Sequence, residues 1–381
     1  MIWILGVTLA VLFVAYANGA NDNFKGVATL FGSGTTDYKK ALIWATVTTF
    51  SGSVAAFFLA TRLVETFTGK GLVPDALIGN PAFLAAVAIG AGLTVLFAAR
   101  FGIPISTTHG LIGALVGAGL MAIGSQLGFM TLGKNFVMPL ILSPFAAIVL
   151  TALVYLCMHK SRKILGVTRQ TCVCVGEKVI PVSGLGLEGG KVLTTSELRI
   201  PELMVGNQES CEAKAIEAYE GRILGVSAQS VLDFLHFLSA GAVSFARGLN
   251  DTPKIVALIA ASGALGLRWN IGLVAVAMAI GGILGARKVA QTVSHKITYM
   301  NHGQGFSANF VTAILVIFAS HLGMPVSTTH VSCGALFGIG LVNRRAHWNV
   351  IGSIVGAWVL TLPIAAILSA GSYFMLSRIG G

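Results

Sequence analysis

The chain has 381 residues, of which 55% are hydrophobic and 10% are charged, and its mean hydropathy is +0.83. Soluble globular chains carry about 25% charged residues, so this composition excludes them and indicates a membrane protein. The net charge of +11 does not indicate nucleic-acid binding, because no cluster of Arg and Lys interleaved with aromatic residues is present.

Apolar segments that are continuous and rich in Gly and Ala follow one another along the chain. A transmembrane β-barrel has short segments of alternating polarity instead. We therefore predict an all-α polytopic membrane protein with about 10–12 membrane segments, some of them broken helices or re-entrant hairpins. The segments lie near 2–17, 41–61, 82–99, 107–124, 136–157, 229–246, 252–264, 269–286, 306–320, 326–342 and 349–375.

Residues 158–228 differ in character from the rest of the chain. Of the 39 charged residues, 17 fall between Lys160 and Arg222. Apolar and more polar side chains alternate at 171–175 and 178–182, a pattern typical of β-strands. We interpret 158–228 as a charged cytoplasmic insert between a first membrane repeat at 1–157 and a second at 229–381. The cysteines of this segment lack the spacing of a zinc site and have no nearby pair of histidines, so no metal is predicted.

Positive charge divides unequally between the two predicted sides of the membrane. Twelve Lys and Arg residues fall on one side and five on the other. By the positive-inside rule the richer side is cytoplasmic, which places both termini outside a cell membrane.

Two motifs occur twice, in the same order. Ala17-Asn18-Gly19-Ala20-Asn21-Asp22-Asn23-Phe24-Lys25 returns as Ala246-Arg247-Gly248-Leu249-Asn250-Asp251-Thr252-Pro253-Lys254, an offset of 229 residues. Pro104-Ile105-Ser106-Thr107-Thr108-His109 returns as Pro325-Val326-Ser327-Thr328-Thr329-His330, an offset of 221. The order predicts an internal repeat, and an odd number of crossings between the copies makes it an inverted one. Each Asn-Asp motif interrupts an apolar stretch, so we predict a broken helix in both copies.

The repeated carboxylates are the first candidate site. Asp22 and Asp251 are two of only six carboxylates outside the insert, and an ionisable group at membrane depth indicates function. They could instead only cap the second half of a broken helix. With Asn21 and Asn250 beside them, they would bind a hard cation such as Na⁺, or a proton. Lys25 and Lys254 follow at the spacing of an ion pair and would neutralise the aspartates, attract an anion, or stand where a second cation would sit.

The second motif predicts an anion site. Ser is a favoured N-cap, so each copy places free amides, hydroxyls and the positive end of a helix dipole at one point. The predicted ligands of a tetrahedral anion such as phosphate are Ser106, Thr107, Thr108, Ser327, Thr328 and Thr329. A single such triplet would be only packing, but two copies favour binding. His109 and His330 are either proton carriers or donors behind the ligands.

These duplicated motifs resemble the inorganic phosphate transporter (PiT) family over essentially the whole chain except the insert. The resemblance implies a low-affinity phosphate transporter: a secondary transporter, not an enzyme, that takes up inorganic phosphate with Na⁺ or H⁺, needs no cofactor and forms a homodimer. Many sodium-coupled members have Asn where this chain has Lys25 and Lys254, so the coupling ion stays open. The alternatives are a sulfate permease, a passive anion channel, and a membrane-embedded enzyme or structural subunit.

Overall fold

The computed structural model describes residues 2–167, 171–182, 196–207, 226–263 and 266–379. Most of these residues are helical. The helices are α1 Ile2–Asp22, α2 Ala28–Gly32, α3 Tyr38–Leu59, α4 Thr61–Phe67, α5 Asp75–Ile78, α6 Pro81–Phe101, α7 Thr107–Ile123, α8 Phe129–Thr131, α9 Met138–Ile164, α10 Ala228–Ala261, α11 Leu267–Gly285, α12 Arg287–Gln291, α13 His302–His321, α14 Thr328–Asn343 and α15 Trp348–Ile379. Short 3₁₀ and π-helical turns occur at Lys25–Val27, Gly124–Gln126, Leu132–Val137 and Thr292–Lys296.

Eight helical segments within the described ranges are long and apolar enough to cross a membrane. The usual partition of side chains is reversed on them: Phe101 is 74% exposed and Ile367 72%, whereas the polar Asn18 is fully buried. A lipid environment favours this arrangement, because apolar groups can face the acyl chains while polar groups find partners inside the protein. The prediction of a polytopic helical membrane protein is confirmed.

Contacts divide the chain into two compact units, one formed by residues 1–156 and 236–381 and the other by residues 157–235. In the smaller unit, strands β1 Thr171–Val182 and β2 Ser196–Asn207 pair antiparallel, and the short strand β3 Val226–Ser227 adds to β1. Strand β1 contains both stretches of predicted alternation. The rest of the predicted insert, at 168–170, 183–195 and 208–225, lies outside the described residues.

The first Asn-Asp motif lies at a break in the helix, as predicted. Helix α1 ends at Asp22, and a 3₁₀ turn at Lys25–Val27 precedes α2. In this turn the Val27 amide donates to the Phe24 carbonyl at 3.1 Å, an i−3 bond in place of the α-helical i−4 bond. The irregular turn follows the Asn-Asp pair directly.

The second copy differs, and the predicted break between 246 and 252 is wrong. Helix α10 continues through Asn250 and Asp251 to Ala261, with Pro253 inside it. Proline removes one amide donor from the helix, but the neighbouring bonds can persist, and packed membrane helices tolerate such a proline. The same motif therefore occupies a broken helix once and a continuous helix once.

Glycines let the helices of one copy approach those of the other. A Cβ on Gly19 of α1 would overlap the Met278 carbonyl of α11, and a Cβ on Gly248 of α10 would overlap the Thr49 carbonyl of α3. Gly248 follows Gly19 by 229 residues, and Met278 follows Thr49 by the same 229. Each copy of the Asn-Asp motif is thus pressed against the second long helix of the opposite copy.

Candidate functional site

The two Ser-Thr-Thr motifs begin helices α7 and α14 with nearly identical geometry. Ser106 has φ −96° and ψ 117°, and Ser327 has φ −98° and ψ 115°. Each serine hydroxyl accepts the backbone N–H of the histidine three residues later, at 3.1 Å in both copies. Both predicted N-caps are confirmed, so the N-termini of α7 and α14, with the positive ends of their dipoles, lie at these two serines.

Lys25 joins the first Asn-Asp motif to both Ser-Thr-Thr motifs. Its ammonium lies 2.7 Å from the Asn21 amide oxygen, 2.7 Å from the Ile105 carbonyl and 2.7 Å from the Thr329 hydroxyl, and it pairs with the Asp22 carboxylate. Four oxygens from three separate segments therefore surround one buried positive charge.

Lys254 makes the corresponding contacts in the second copy. Its ammonium lies 2.6 Å from the Val326 carbonyl, 2.8 Å from the Thr108 hydroxyl and 3.7 Å from the Asp251 carboxylate. Each lysine thus reaches a carbonyl of its own copy and a threonine hydroxyl of the other. Each of these threonines also donates to a carbonyl of the other copy. Thr329 donates to the Ile105 carbonyl at 2.9 Å, and Thr108 donates to the Val326 carbonyl at 3.3 Å.

The two carboxylates are linked through Asn18. Its amide donates to Asp22 at 2.9 Å, to the Thr107 hydroxyl at 3.0 Å and to Asp251 at 3.2 Å. Thr107 itself donates to Asp22 at 2.9 Å. One amide group therefore bridges the aspartates of both copies.

Arg247 completes the cluster, and sequence reasoning missed it together with Asn18. Its guanidinium donates to Asn18 at 2.8 Å, to Asn23 at 3.0 Å and to Thr49 at 3.2 Å, and lies 3.7 Å from the Asp251 carboxylate. Asn18 and Arg247 occupy the same position of the repeated motif. An arginine within an apolar stretch was the signal available in the sequence.

The cluster has an excess of positive charge. Three cations, Lys25, Arg247 and Lys254, stand against two carboxylates, Asp22 and Asp251, for a formal charge of +1. All five are at least 96% buried. A buried charge is costly unless it is paired, so this arrangement favours an anion as a further partner.

The histidines lie together beside the cluster. The rings of His109 and His330 are 4.3 Å apart, and the His330 ring stacks on Trp358 at 4.0 Å. Within the described part of the chain, His109 Nδ1 and His330 Nε2 have no hydrogen-bond partner. The fourteen side chains predicted for the site are all buried, and His109 at 8% is the most exposed of them.

No group of three or more His, Cys, Asp and Glu side chains suited to a metal ion occurs among the residues that the structure describes. The oxygens around the lysines come instead from carboxylates, amides, hydroxyls and backbone carbonyls. Such a set suits hard cations and ammonium groups.

Residues 18–369 match the phosphate transporter family. The chain belongs to this family. It is 28% identical to a protein of Pyrococcus abyssi named as a phosphate permease, with 99% of both chains covered. A Rhizobium meliloti protein named as a low-affinity inorganic phosphate transporter is 29% identical, over 97% of this chain and 96% of that protein.

A solved structure titled the sodium-dependent phosphate transporter superposes on the whole chain with a TM-score of 0.75 and 22% identity, and covers 100% of both chains. This similarity shows that the fold is shared. The proteins of this family are transporters and permeases, so the chain is a multi-pass membrane transporter and not an enzyme. The family resemblance inferred from the repeated motifs is confirmed.

Proposed function

We propose that this chain takes up inorganic phosphate across the cell membrane by symport with a cation, Na⁺ or H⁺, through alternating access. The observation that carries the proposal is the convergence of two capped helix N-termini on a buried cluster with one excess positive charge. Amides and hydroxyls at helix N-termini bind oxyanions, and the excess positive charge of the cluster balances the charge of the anion. The predicted ligands of phosphate are the six Ser and Thr side chains, and Asn21, Asp22, Asn250 and Asp251 hold the coupling cation or contact the substrate.

The carboxylates favour phosphate over sulfate. Hydrogen phosphate carries a hydroxyl that can donate to Asp22 or Asp251, whereas sulfate at neutral pH carries no such donor. A hydroxyl that donates to a carboxylate offsets the repulsion between the two negative groups, and sulfate has no such donor. Phosphate is therefore the substrate we favour, with sulfate as the second candidate.

The reciprocal contacts support an inverted repeat and alternating access. Each lysine reaches the threonine of the other copy, and each motif glycine presses on a helix of the other copy. Such exchange is the geometry of two units related by a pseudo-two-fold axis, about which one unit can rock against the other around a fixed site. The orientation proposed from the positive-inside rule places the insert in the cytoplasm and both termini outside. The homodimer implied by the family resemblance is also part of this proposal.

The test is radiolabelled phosphate uptake into proteoliposomes under an imposed inward Na⁺ or H⁺ gradient. We expect accumulation against the phosphate gradient, which a passive channel cannot produce. Excess phosphate should compete with the label, and excess sulfate should not. Accumulation of sulfate in preference to phosphate would contradict the proposed substrate.

Asp22→Asn and Asp251→Asn remove the charge at the predicted coupling site, so each should abolish accumulation. Asp37→Asn is the matched control, because Asp37 caps α3 at the surface, where its side chain is 56% exposed. Monodisperse protein with normal uptake in both site variants would refute the coupling role of these carboxylates.

A further inference from the structure

We infer that the ammonium groups of Lys25 and Lys254 occupy the two cation positions of the transport site, so that phosphate uptake by this chain needs no sodium. The first position is formed by oxygens of Asn21, Asp22, Ile105 and Thr329, and the second by oxygens of Asp251, Val326 and Thr108. The inference rests on the proposed cation-coupled uptake and specifies its coupling ion as H⁺.

The oxygens around Lys25 resemble the coordination shell of an ion more than the partners of a single ion pair. An ammonium group has three N–H donors, but four oxygens lie within hydrogen-bonding distance of this nitrogen. They are a carboxylate, an amide, a backbone carbonyl and a hydroxyl. Carboxylate and neutral oxygens converging from a helix break and from irregular backbone are what transporters use to coordinate Na⁺.

The second position repeats the first with the same chemistry. A carboxylate, a carbonyl and a threonine hydroxyl again surround a lysine nitrogen, and each residue is separated from its counterpart by 229 or 221 positions, with the two threonines exchanged between the copies. A surface ion pair at the same i,i+3 spacing lacks this environment: Lys40 lies 3.5 Å from Asp37, and its side chain is 74% exposed. The oxygen shell thus belongs to the buried motif and does not follow from the spacing alone.

Burial of both lysines excludes sodium ions from the two positions. Lys25 is 4% exposed and Lys254 is 1% exposed, so neither ammonium can be solvated by bulk water while the cluster is closed. A sodium ion could take the same oxygens only by displacing an ammonium that is covalently attached and already pairs with the carboxylate. Each side chain therefore holds its position while the cluster is closed.

The experiment measures ²²Na⁺ binding to the purified full-length protein in nanodiscs, without phosphate. Wild-type protein should show no saturable Na⁺ binding. The Lys25→Asn/Lys254→Asn variant replaces each ammonium by a shorter side chain with an amide oxygen, and it should gain saturable binding. Lys40→Asn is the matched control and should behave as wild type.

Saturable Na⁺ binding by the wild type would overturn the inference, as would a folded, monodisperse double variant without binding. Should the double variant fail to fold, Lys25→Asn and Lys254→Asn are measured singly, since each vacates one position. If none of these variants folds, the wild-type protein alone decides, through its binding of Na⁺ or its lack of it.

Uptake in proteoliposomes provides the second readout. Wild-type protein should accumulate phosphate under a proton gradient with choline in place of sodium, and added Na⁺ should not stimulate it. In the double variant, Na⁺ should stimulate phosphate uptake about tenfold, a typical coupling between two ligands. Accumulation driven by Na⁺ alone in the wild type would refute the inference and leave phosphate transport intact. Absence of uptake under either gradient would refute the proposed function, whereas the Na⁺ binding result would still decide the inference.

Discussion

The contact between α1 and α11 allows a sharp test of how the site is assembled. Gly19 lies between Asn18 and the Asn-Asp pair, on the face of α1 that is pressed against α11. Gly19→Ala adds a single methyl group there. Because the atoms it would meet are backbone atoms of α11, no side-chain rotation can relieve the overlap.

The distances around Gly19 give the minimum by which the two helices must separate in Gly19→Ala. The new Cβ would lie 2.8 Å from the Gly282 amide nitrogen and closer still to the Met278 carbonyl oxygen, whereas ordinary contacts begin at 3.4 Å. The helices must therefore separate by at least 0.6 Å, the difference between 2.8 and 3.4 Å. Overpacking of a tight interface costs about 1–3 kcal/mol. For a chain of 381 residues, with an unfolding entropy of about 2.1 cal/mol/K per residue, that lowers the melting temperature by roughly 1–4 °C.

The assay combines the melting temperature of purified protein with phosphate uptake in proteoliposomes. Gly6→Ala is the matched control, since Gly6 lies in the same helix with nothing within 4 Å of the added Cβ. Both substitutions gain about 1 kcal/mol of helix propensity, so their difference isolates the overlap. Gly19→Ala should melt lower than Gly6→Ala and lose most uptake, because Asn18 and Asp22 move with the helix. Equal melting temperatures and equal uptake would refute the close helix contact.

Two further predictions concern the polar cluster. Thr107→Val removes one of the donors to Asp22, so it should lower the free energy of unfolding by about 1–3 kcal/mol and reduce phosphate uptake. Thr151→Val is its control, because the buried Thr151 hydroxyl has no hydrogen-bond partner within the described ranges. It should be neutral or stabilising in thermal melts. Arg247→Gln removes the excess positive charge and the donors to Asn18, Asn23 and Thr49, so it should destabilise by about 1–3 kcal/mol and raise the KM for phosphate. The exposed Arg268→Gln should leave the KM unchanged. An unchanged KM in folded Arg247→Gln would argue against a role in anion binding.

The sequence alone determined the class of protein, its family and the identity of the repeated motifs. Hydropathy revealed the membrane segments because lipid-facing side chains must be apolar whatever their neighbours are. The N-caps at Ser106 and Ser327 were predictable, because capping involves only residues three positions apart. The alternation within β1 was visible for the same reason, since it is a property of consecutive residues.

The tertiary structure alone decided how the motifs meet. Both copies carry the same Asn-Asp pair, yet only the first breaks its helix, so the pair by itself does not decide where a helix is interrupted. The roles of Asn18 and Arg247 arise because α1 and α10 bring their side chains within 3 Å of each other, although 229 residues separate them. The crossing of each lysine to the threonine of the other copy has the same origin. A sequence records which polar groups must be buried, but which of them pair depends on contacts between distant helices, and only the folded chain fixes those contacts.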